Sequence, residues 1–259
     1  MLNCFKTEKN GIIICFCDYY KNNENYYYIA AYNHDLEYLC NYTQKINIYK
    51  DIDTFIYSIG LKDDIGAFIY FENDRKPKIF FKGYDNSNNC FKDFFEQIKL
   101  DHLNFYSARK TNDFIKISND KICLISSYER KIIYIVIINL FNNNGSESSY
   151  HIKIRYYSIN LKLLNFELEG GLKAYIFNDF IALSAGYFFD YDNNFLNYYL
   201  NSLMIIGYSN KTDSNFDIID YIIKEKCPIT NLKIDLVEDM TIDNNIFGYK
   251  YKSIKYMII

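Results

Sequence analysis

The chain has 259 residues and a formal net charge of -3, with 49% hydrophobic, 24% charged and 19% aromatic residues. That mixture excludes a disordered chain, and without a basic excess there is nothing to neutralise a phosphate backbone, so nucleic acid is not an expected partner. No apolar run reaches 18 residues; the longest, Ile132 to Phe141, is interrupted by Asn139 and is too short to span a bilayer, so no membrane insertion of this segment is expected.

The opening Met1-Leu-Asn-Cys-Phe-Lys lacks the apolar stretch of a secretory signal. It fits either an intracellular protein or a fragment whose upstream signal is missing. Tyr (28), Phe (21) and abundant Ile favour strands, because branched and aromatic side chains suit a pleated, half-buried surface. The abundance of Asn, Lys, Ile and Tyr is also what an AT-rich genome would encode.

Along the chain one pattern recurs, a polar Asn/Asp turn followed by an apolar strand. It appears at Asn10-Gly11 before Ile12 to Phe16, at Asp63-Asp64 before Ile65 to Ile69, and at Asn119-Asp120 before Ile122 to Ile125. It returns at Asn178-Asp179 before Phe180 to Leu183 and at Asn244-Asn245 before Ile246 to Tyr249. The turns are spaced 53, 56, 59 and 66 residues apart, a period that marks propeller blades of several strands each. Asn-Gly is a strong two-residue hairpin signal, because both residues tolerate positive φ; Asn-Asp is a weaker one.

The first unit, residues 1-50, contains strands over Gly11 to Tyr19, Tyr26 to Tyr32 and Leu39 to Ile48, without a clear opening strand. The second, 51-100, has Phe55 to Leu61, Ile65 to Phe71 and Lys78 to Tyr84. After it, Phe91, Phe94, Phe95 and Ile98 follow i, i+3, i+4, i+7 spacing and predict a short helix. The third, 101-165, reads as four antiparallel strands: Asp113 to Ser118, Ile122 to Ser127, the apolar Ile132 to Leu140, and an amphipathic outer strand from His151 to Ile159. The fourth, 166-225, repeats this with Leu172 to Phe177, Phe180 to Tyr187 and Leu203 to Tyr208; Asp192 to Leu203 also fits a helix, and Phe216 to Ile223 fits helix or strand. The fifth, 226-259, has Asn231 to Leu236 and Ile246 to Lys255. The expected fold is one all-β domain over 1-259, a β-propeller-like array of about five four-stranded antiparallel blades. Strands from the two ends could share a blade and close a ring; alternatively, the chain is a piece of a longer propeller.

Seven Cys (4, 15, 17, 40, 90, 123 and 227) form no C-x-x-C pair. An odd number leaves at least one thiol free, and buried free thiols are expected rather than a disulfide framework. The histidines at 34, 102 and 151 share no metal spacing, and no phosphate-loop, dinucleotide or nucleophile-elbow motif occurs. No cofactor is called for. The carboxylate pairs Asp63-Asp64, Asp190/Asp192 and Glu238-Asp239 lie where turns place Asp anyway. Asp190-Tyr-Asp-Asn-Asn194 has alternating oxygen donors but lacks the glycine and terminal glutamate of an EF-hand loop. Sequons at Asn41, Asn144 and Asn210 are candidate glycosylation sites, although chance alone predicts about three in a chain this rich in Asn. Of the three, Asn144 lies in a polar loop where a glycan would fit. Tyr26-Tyr27-Tyr28 and Tyr198-Tyr199 offer flat apolar faces with polar tips, suited to strand packing or to a protein- or glycan-binding surface.

The segments Ile154-Arg155-Tyr156-Tyr157-Ser158-Ile159 and Ser202 to Asp213 (SLMIIGYSNKTD) resemble propeller-like regions of large cell-surface proteins of AT-rich protists, some of which carry EGF-like repeats. The resemblance implies an ectodomain with an adhesion or recognition role. The expected function is therefore a non-enzymatic interaction domain binding a protein or glycan ligand. An intracellular propeller scaffold is the first alternative. A propeller glycoside hydrolase is the second; it requires carboxylates converging within about 10 Å at the axis.

Overall fold

The structure, a computed structural model, describes residues 2–46, 56–71, 77–88, 90–100, 112–128, 132–142, 150–160, 166–168, 173–177, 180–189, 199–208, 218–219, 234–243 and 252–254. All regular structure among them is β.

The first sheet is a meander of β1 (Leu2–Lys6), β2 (Ile13–Lys21), β3 (Glu24–Tyr32) and β4 (Tyr38–Ile46). The second repeats it with β5 (Tyr57–Gly60), β6 (Ile65–Phe71), β7 (Pro77–Asp85) and β8 (Cys90–Lys99). The third begins in the same way with β9 (Asn112–Ser118), β10 (Lys121–Tyr128), β11 (Ile132–Asn142) and β12 (Tyr150–Asn160). A fourth sheet holds β13 (Phe166–Leu168), β14 (Lys173–Phe177), β15 (Phe180–Phe189), β16 (Tyr199–Tyr208) and β17 (Ile218–Ile219), with β13 and β14 both paired to β15. Every pairing is antiparallel. The turns at 10, 63 and 119 each join the first two strands of a sheet, and Phe177 pairs with Phe180 across the position of the fourth turn. The repeat in the sequence is thus a repeat of sheets.

Several expectations are corrected. An opening strand does exist in the first unit: β1. The helix expected over Phe91 to Ile98 is β8, and two register irregularities opposite Ile79–Lys82 explain the mimicry, because extra residues break the period of two. Tyr199 to Leu203 belongs to strand β16; Asp192 to Tyr198 lies outside the described residues. β12 is not an outer edge. Its far side pairs with β18 (Ile234–Asp243), which carries β19 (Lys252–Ile254), so the third sheet has six strands. β18 therefore extends the third sheet and does not pair with β1. The fifth turn, at 244–245, lies outside the described residues. The Asn10-Gly11 hairpin is looser than expected: Thr7 and Ile12 close a four-residue loop in which only Gly11 has positive φ (67°).

Burial explains the stacking. Alternation along β6 and β7 sends Ile65, Ala67, Ile69, Ile79 and Phe81 to one face and Phe68, Tyr70 and Phe80 to the other. The first set packs with Leu124, Val136, Ile138, Ile152 and Ile154 of the third sheet. The second packs with Ile14, Phe16, Tyr27 and Ile29 of the first sheet. The second sheet is thus buried between two others, each large side chain contributing about 2 kcal/mol through removal from water. Rings join the first sheet to the second: Tyr27 stacks on Phe80 at 5.0 Å and Phe16 meets Phe68 edge-on at 5.2 Å between centroids. Successive opening strands also touch, β1 with β5, β5 with β9 and β9 with β14. The last contact is fastened where Asp113 Oδ2 accepts the Ala174 N–H at 2.8 Å.

The three described turns meet at one end. Lys62 N–H donates to Asn119 O at 2.7 Å, and Glu8 receives Asn119 Nδ2 at 2.8 Å and pairs with Lys116 Nζ at 3.2 Å. Turns from the first, second and third sheets are therefore hydrogen-bonded to one another directly.

Candidate functional site

The first sheet buries one face against the second sheet and turns the other outward. The two-residue turn Asn22-Asn23, with both residues at positive φ (53° and 64°), sets the register of β2 and β3. That register puts Tyr19 opposite Tyr26 and Cys17 opposite Tyr28, while an irregularity in β4 puts Tyr38 opposite Tyr32. With a period of two, Tyr19, Tyr26, Tyr28, Tyr32 and Tyr38 share the outward face. Tyr19 and Tyr26 stack at 5.2 Å with 13° between ring planes, Tyr28 meets Tyr19 edge-on at 6.2 Å, and Tyr32 meets Tyr38 edge-on at 6.0 Å.

The polar tips are bonded. Tyr26 Oη donates to Glu24 Oε2 at 2.6 Å and Lys45 Nζ to Glu24 Oε1 at 2.5 Å. The Lys45 bond first, and the Tyr26 bond second, hold the Glu24 carboxyl below its usual range. The bond to Glu24 in turn raises the Tyr26 phenol. Burial first, then the phenols of Tyr38 and Tyr32, push Tyr28 up. Asn41 Nδ2 donates to the Tyr38 hydroxyl, so the first sequon lies exposed beside this face.

Cys4 and Cys15, directly opposite each other on β1 and β2 with Cα atoms 4.2 Å apart, are joined by a disulfide on the same face. The sequence reading expected free thiols. Without β1, Cys4 had no partner strand, and the bond could not be foreseen. Cys17, Cys40, Cys90 and Cys123 are free; Cys227 lies outside the described residues.

At the end of this face the chain makes the loop between β3 and β4. Asn33 braces it: its Oδ1 accepts Asp35 N–H at 3.0 Å and Glu37 N–H at 2.8 Å, and its Nδ2 donates to Glu37 Oε2 at 2.7 Å. Leu36 sits at the tip with φ 65° and is 69% exposed. A branched apolar residue in the left-handed region, held out in water, is costly on both counts. Among the described residues, seven large hydrophobics are exposed, and Leu2, Tyr19, Tyr20, Leu36 and Tyr38 place five of them on this one sheet.

The other candidates separate. Asn144 and Asn210 lie outside the described residues, as do His102, Asp190, Asp192 and Tyr198. His34 is exposed, 3.1 Å from its neighbour Asp35, and the His151 ring stacks on Phe141 at 5.3 Å. Tyr27, between two outward tyrosines, points inward and is 2% exposed. Asp63 and Asp64 serve the turn: both have positive φ, and Asp63 Oδ2 accepts the Tyr150 hydroxyl at 2.5 Å. Glu238 and Asp239 stand opposite Tyr156 and Arg155 in the register of β18 with β12. Sequence reasoning missed Leu36, whose left-handed backbone and bracing by Asn33 have no signature in a string without glycine.

No protein-family model matches the chain, and no curated protein is similar to it.

Proposed function

We propose that the chain is a non-enzymatic interaction domain of a surface protein, and that the outward face of the first sheet takes a protein ligand. The observation that carries this reading is the exposure of Leu2, Tyr19 and Tyr38 along the outward face of the first sheet, with Leu36 held out at its end by the loop that Asn33 braces. Tyrosine on a rigid strand offers a large contact area at small entropic cost, and such aromatic anchors dominate protein interfaces. The scaffold proposed is a propeller-like array of about five units. Its supports are the face-to-face stacking of the first three sheets and the succession of opening strands β1, β5, β9 and β14. The Cys4–Cys15 bond favours a non-reducing compartment over the cytosol.

The test is binding of the labelled full chain to intact cells of its source. Leu36→Ser and Tyr38→Ser should each weaken binding about tenfold, as loss of an interface anchor does, with unchanged circular dichroism. Tyr175→Ser, exposed on β14, serves as the control and should bind normally. Protease treatment of the cells should abolish binding and glycosidase treatment should not. The reverse pattern would assign the face to a glycan, and equal binding by all variants would remove it as the site.

A further inference from the structure

The first and second sheets meet at a second pair of cysteines. Cys40 lies on β4 and Cys90 opens β8, and these two strands touch. Cys40 keeps the regular register of β4, opposite the inward-facing Ala31, and so points into the interface; the extra residue, Leu39, falls beyond it and shifts only Tyr38, which pairs with Tyr32. There it is 9% exposed, within the cluster of Phe16, Tyr27, Phe80 and Tyr84. Cys90 packs against that cluster from its half-exposed rim, its thiol 3.8 Å from the carbonyl oxygen of Asn41, the residue after Cys40. Cys40 and Tyr84 belong to this one cluster, and Cys90 packs against it.

We propose that Cys40 and Cys90 are a redox-responsive dithiol that closes to a disulfide between the first and second sheets when a peroxide or a small disulfide oxidant is present. The roles of the two sulfurs follow from their positions. Cys90 is reachable from solvent and reacts first: its thiolate attacks a peroxide oxygen, the O–O bond breaks, and a sulfenic acid forms with loss of one water. Cys40 sulfur then attacks the Cys90 sulfur and the sulfenic oxygen leaves as a second water. Two thiols are oxidised by two electrons and one hydrogen peroxide is reduced to two waters. Burial first, then the interaction with Cys90, pushes the Cys40 thiol up to about 12, so it waits as a thiol and resolves the intermediate instead of starting the reaction. A small disulfide oxidant reaches the same product by exchange at Cys90 and release of its two thiols when Cys40 attacks.

The bond would add a covalent clamp between two sheets that are otherwise held by side-chain packing and by the Asp64 hydrogen bonds to Lys9 and Asn10. It closes a loop of some 50 residues, from Cys40 to Cys90, where the entropic effect of a crosslink is large. The Cys4–Cys15 bond, by contrast, lies within one hairpin.

The experiment treats the folded full chain with hydrogen peroxide, quenches it with an alkylating agent and maps the peptides without reduction. A peptide pair joined through Cys40 and Cys90 is expected, together with a rise of at least about 5 °C in the thermal midpoint. Both should be reversed by a dithiol reductant that is then removed. Cys90→Ser should abolish the linked peptide and the rise while leaving the untreated midpoint near the wild-type value. Cys40→Ala should instead let Cys90 accumulate as sulfenic acid, detectable by a dimedone adduct. Alkylation of both cysteines after oxidation, over-oxidation of Cys90 with Cys40 unchanged in the wild type, or a linkage to Cys17 or Cys123 would each overturn the proposal.

Discussion

The carboxylate of Asp64 accepts the backbone N–H of Lys9, 55 residues earlier in the chain, at 3.0 Å. The same oxygen accepts the N–H of Asn10 at 3.1 Å, and the other carboxylate oxygen takes the Asn10 side-chain amide. Asp64 is 1% exposed and stands in the left-handed region, which Asp tolerates better than most residues. One side chain thus satisfies the turn of the first sheet from the turn of the second. Asp64→Ala leaves two N–H groups without their acceptor and adds backbone strain, and it should cost about 3 kcal/mol in denaturant unfolding. Asp64→Asn, which keeps an acceptor and tolerates this φ, should cost less than half of that.

Gly60 and Gly66 pair directly across β5 and β6, and the Phe5 ring lies over both. A Cβ on Gly66 would stand 2.6 Å from Phe5 Cζ and 2.8 Å from the Phe68 ring. Gly66→Ala should therefore destabilise by about 2 kcal/mol through overpacking. Phe5→Ala in the background removes the nearer of these two clashes and leaves the one with Phe68, and a double-mutant cycle should give a coupling of at least about 1 kcal/mol. Simple additivity would show that the ring does not rest on the glycines.

Lys82 is buried at 3% with its ammonium bonded to Asp93 and 3.5 Å from the Tyr42 ring centroid. Asp93 is 60% exposed, so the pair is screened and contributes little by itself. Lys82→Met, which keeps the apolar stem and removes the charge, should change stability by less than about 1 kcal/mol. Asp93→Ala leaves the cation in the interface with only the ring beside it and should be the more damaging change when both are measured by urea denaturation.

Stability should fall at alkaline pH. Burial raises the thiol of Cys123 and the phenol of Tyr27 above their ordinary values. The unfolded chain therefore loses these protons first, and the native state binds more protons than the unfolded one. The stabilisation is complete below the ordinary thiol value near 9 and is lost as pH rises above it. Each group adds a slope of about 1.4 kcal/mol per pH unit once its unfolded form has ionised. Denaturant midpoints should be flat from pH 7 to 8.5 and decline through pH 10, and Cys123→Ala should make the first part of that decline shallower.

Leu36 offers a trade between stability and binding. Leu36→Gly relieves a left-handed backbone and removes an exposed apolar side chain, with the bracing by Asn33 intact. It should raise stability by about 0.5–1 kcal/mol in chemical denaturation while weakening binding to cells. A variant that is both more stable and fully active would show that the tip has no part in recognition.

The unit of the fold was legible because its signal is local. An Asn or Asp turn followed by alternating apolar residues needs only neighbouring residues to be read, so β6, β9, β10, β11, β12 and β15 stand where the pattern put them. Two strands escaped for physical reasons. β1 has only five residues, and its pairing with β2 sets its place more than its own composition does. β8 contains extra residues that spread Phe91, Phe94 and Ile98 into a helical spacing, yet Phe91 packs toward the first sheet while Phe94 and Ile98 pack toward the third.

By itself the sequence determined the class of structure: antiparallel strands, polar turns 53 to 66 residues apart, and faces whose alternation requires a neighbour on each side. It could not say which neighbour. That Asp64 would hold the hairpin of Lys9, that Cys4 would find Cys15, that β18 would join β12 and that Leu36 would stand out beside Tyr38 are all contacts across chain separations or a backbone state that no local pattern encodes. Tertiary structure decided them, because hydrogen bonds and packing act through space, and only the stacked sheets bring those residues within reach.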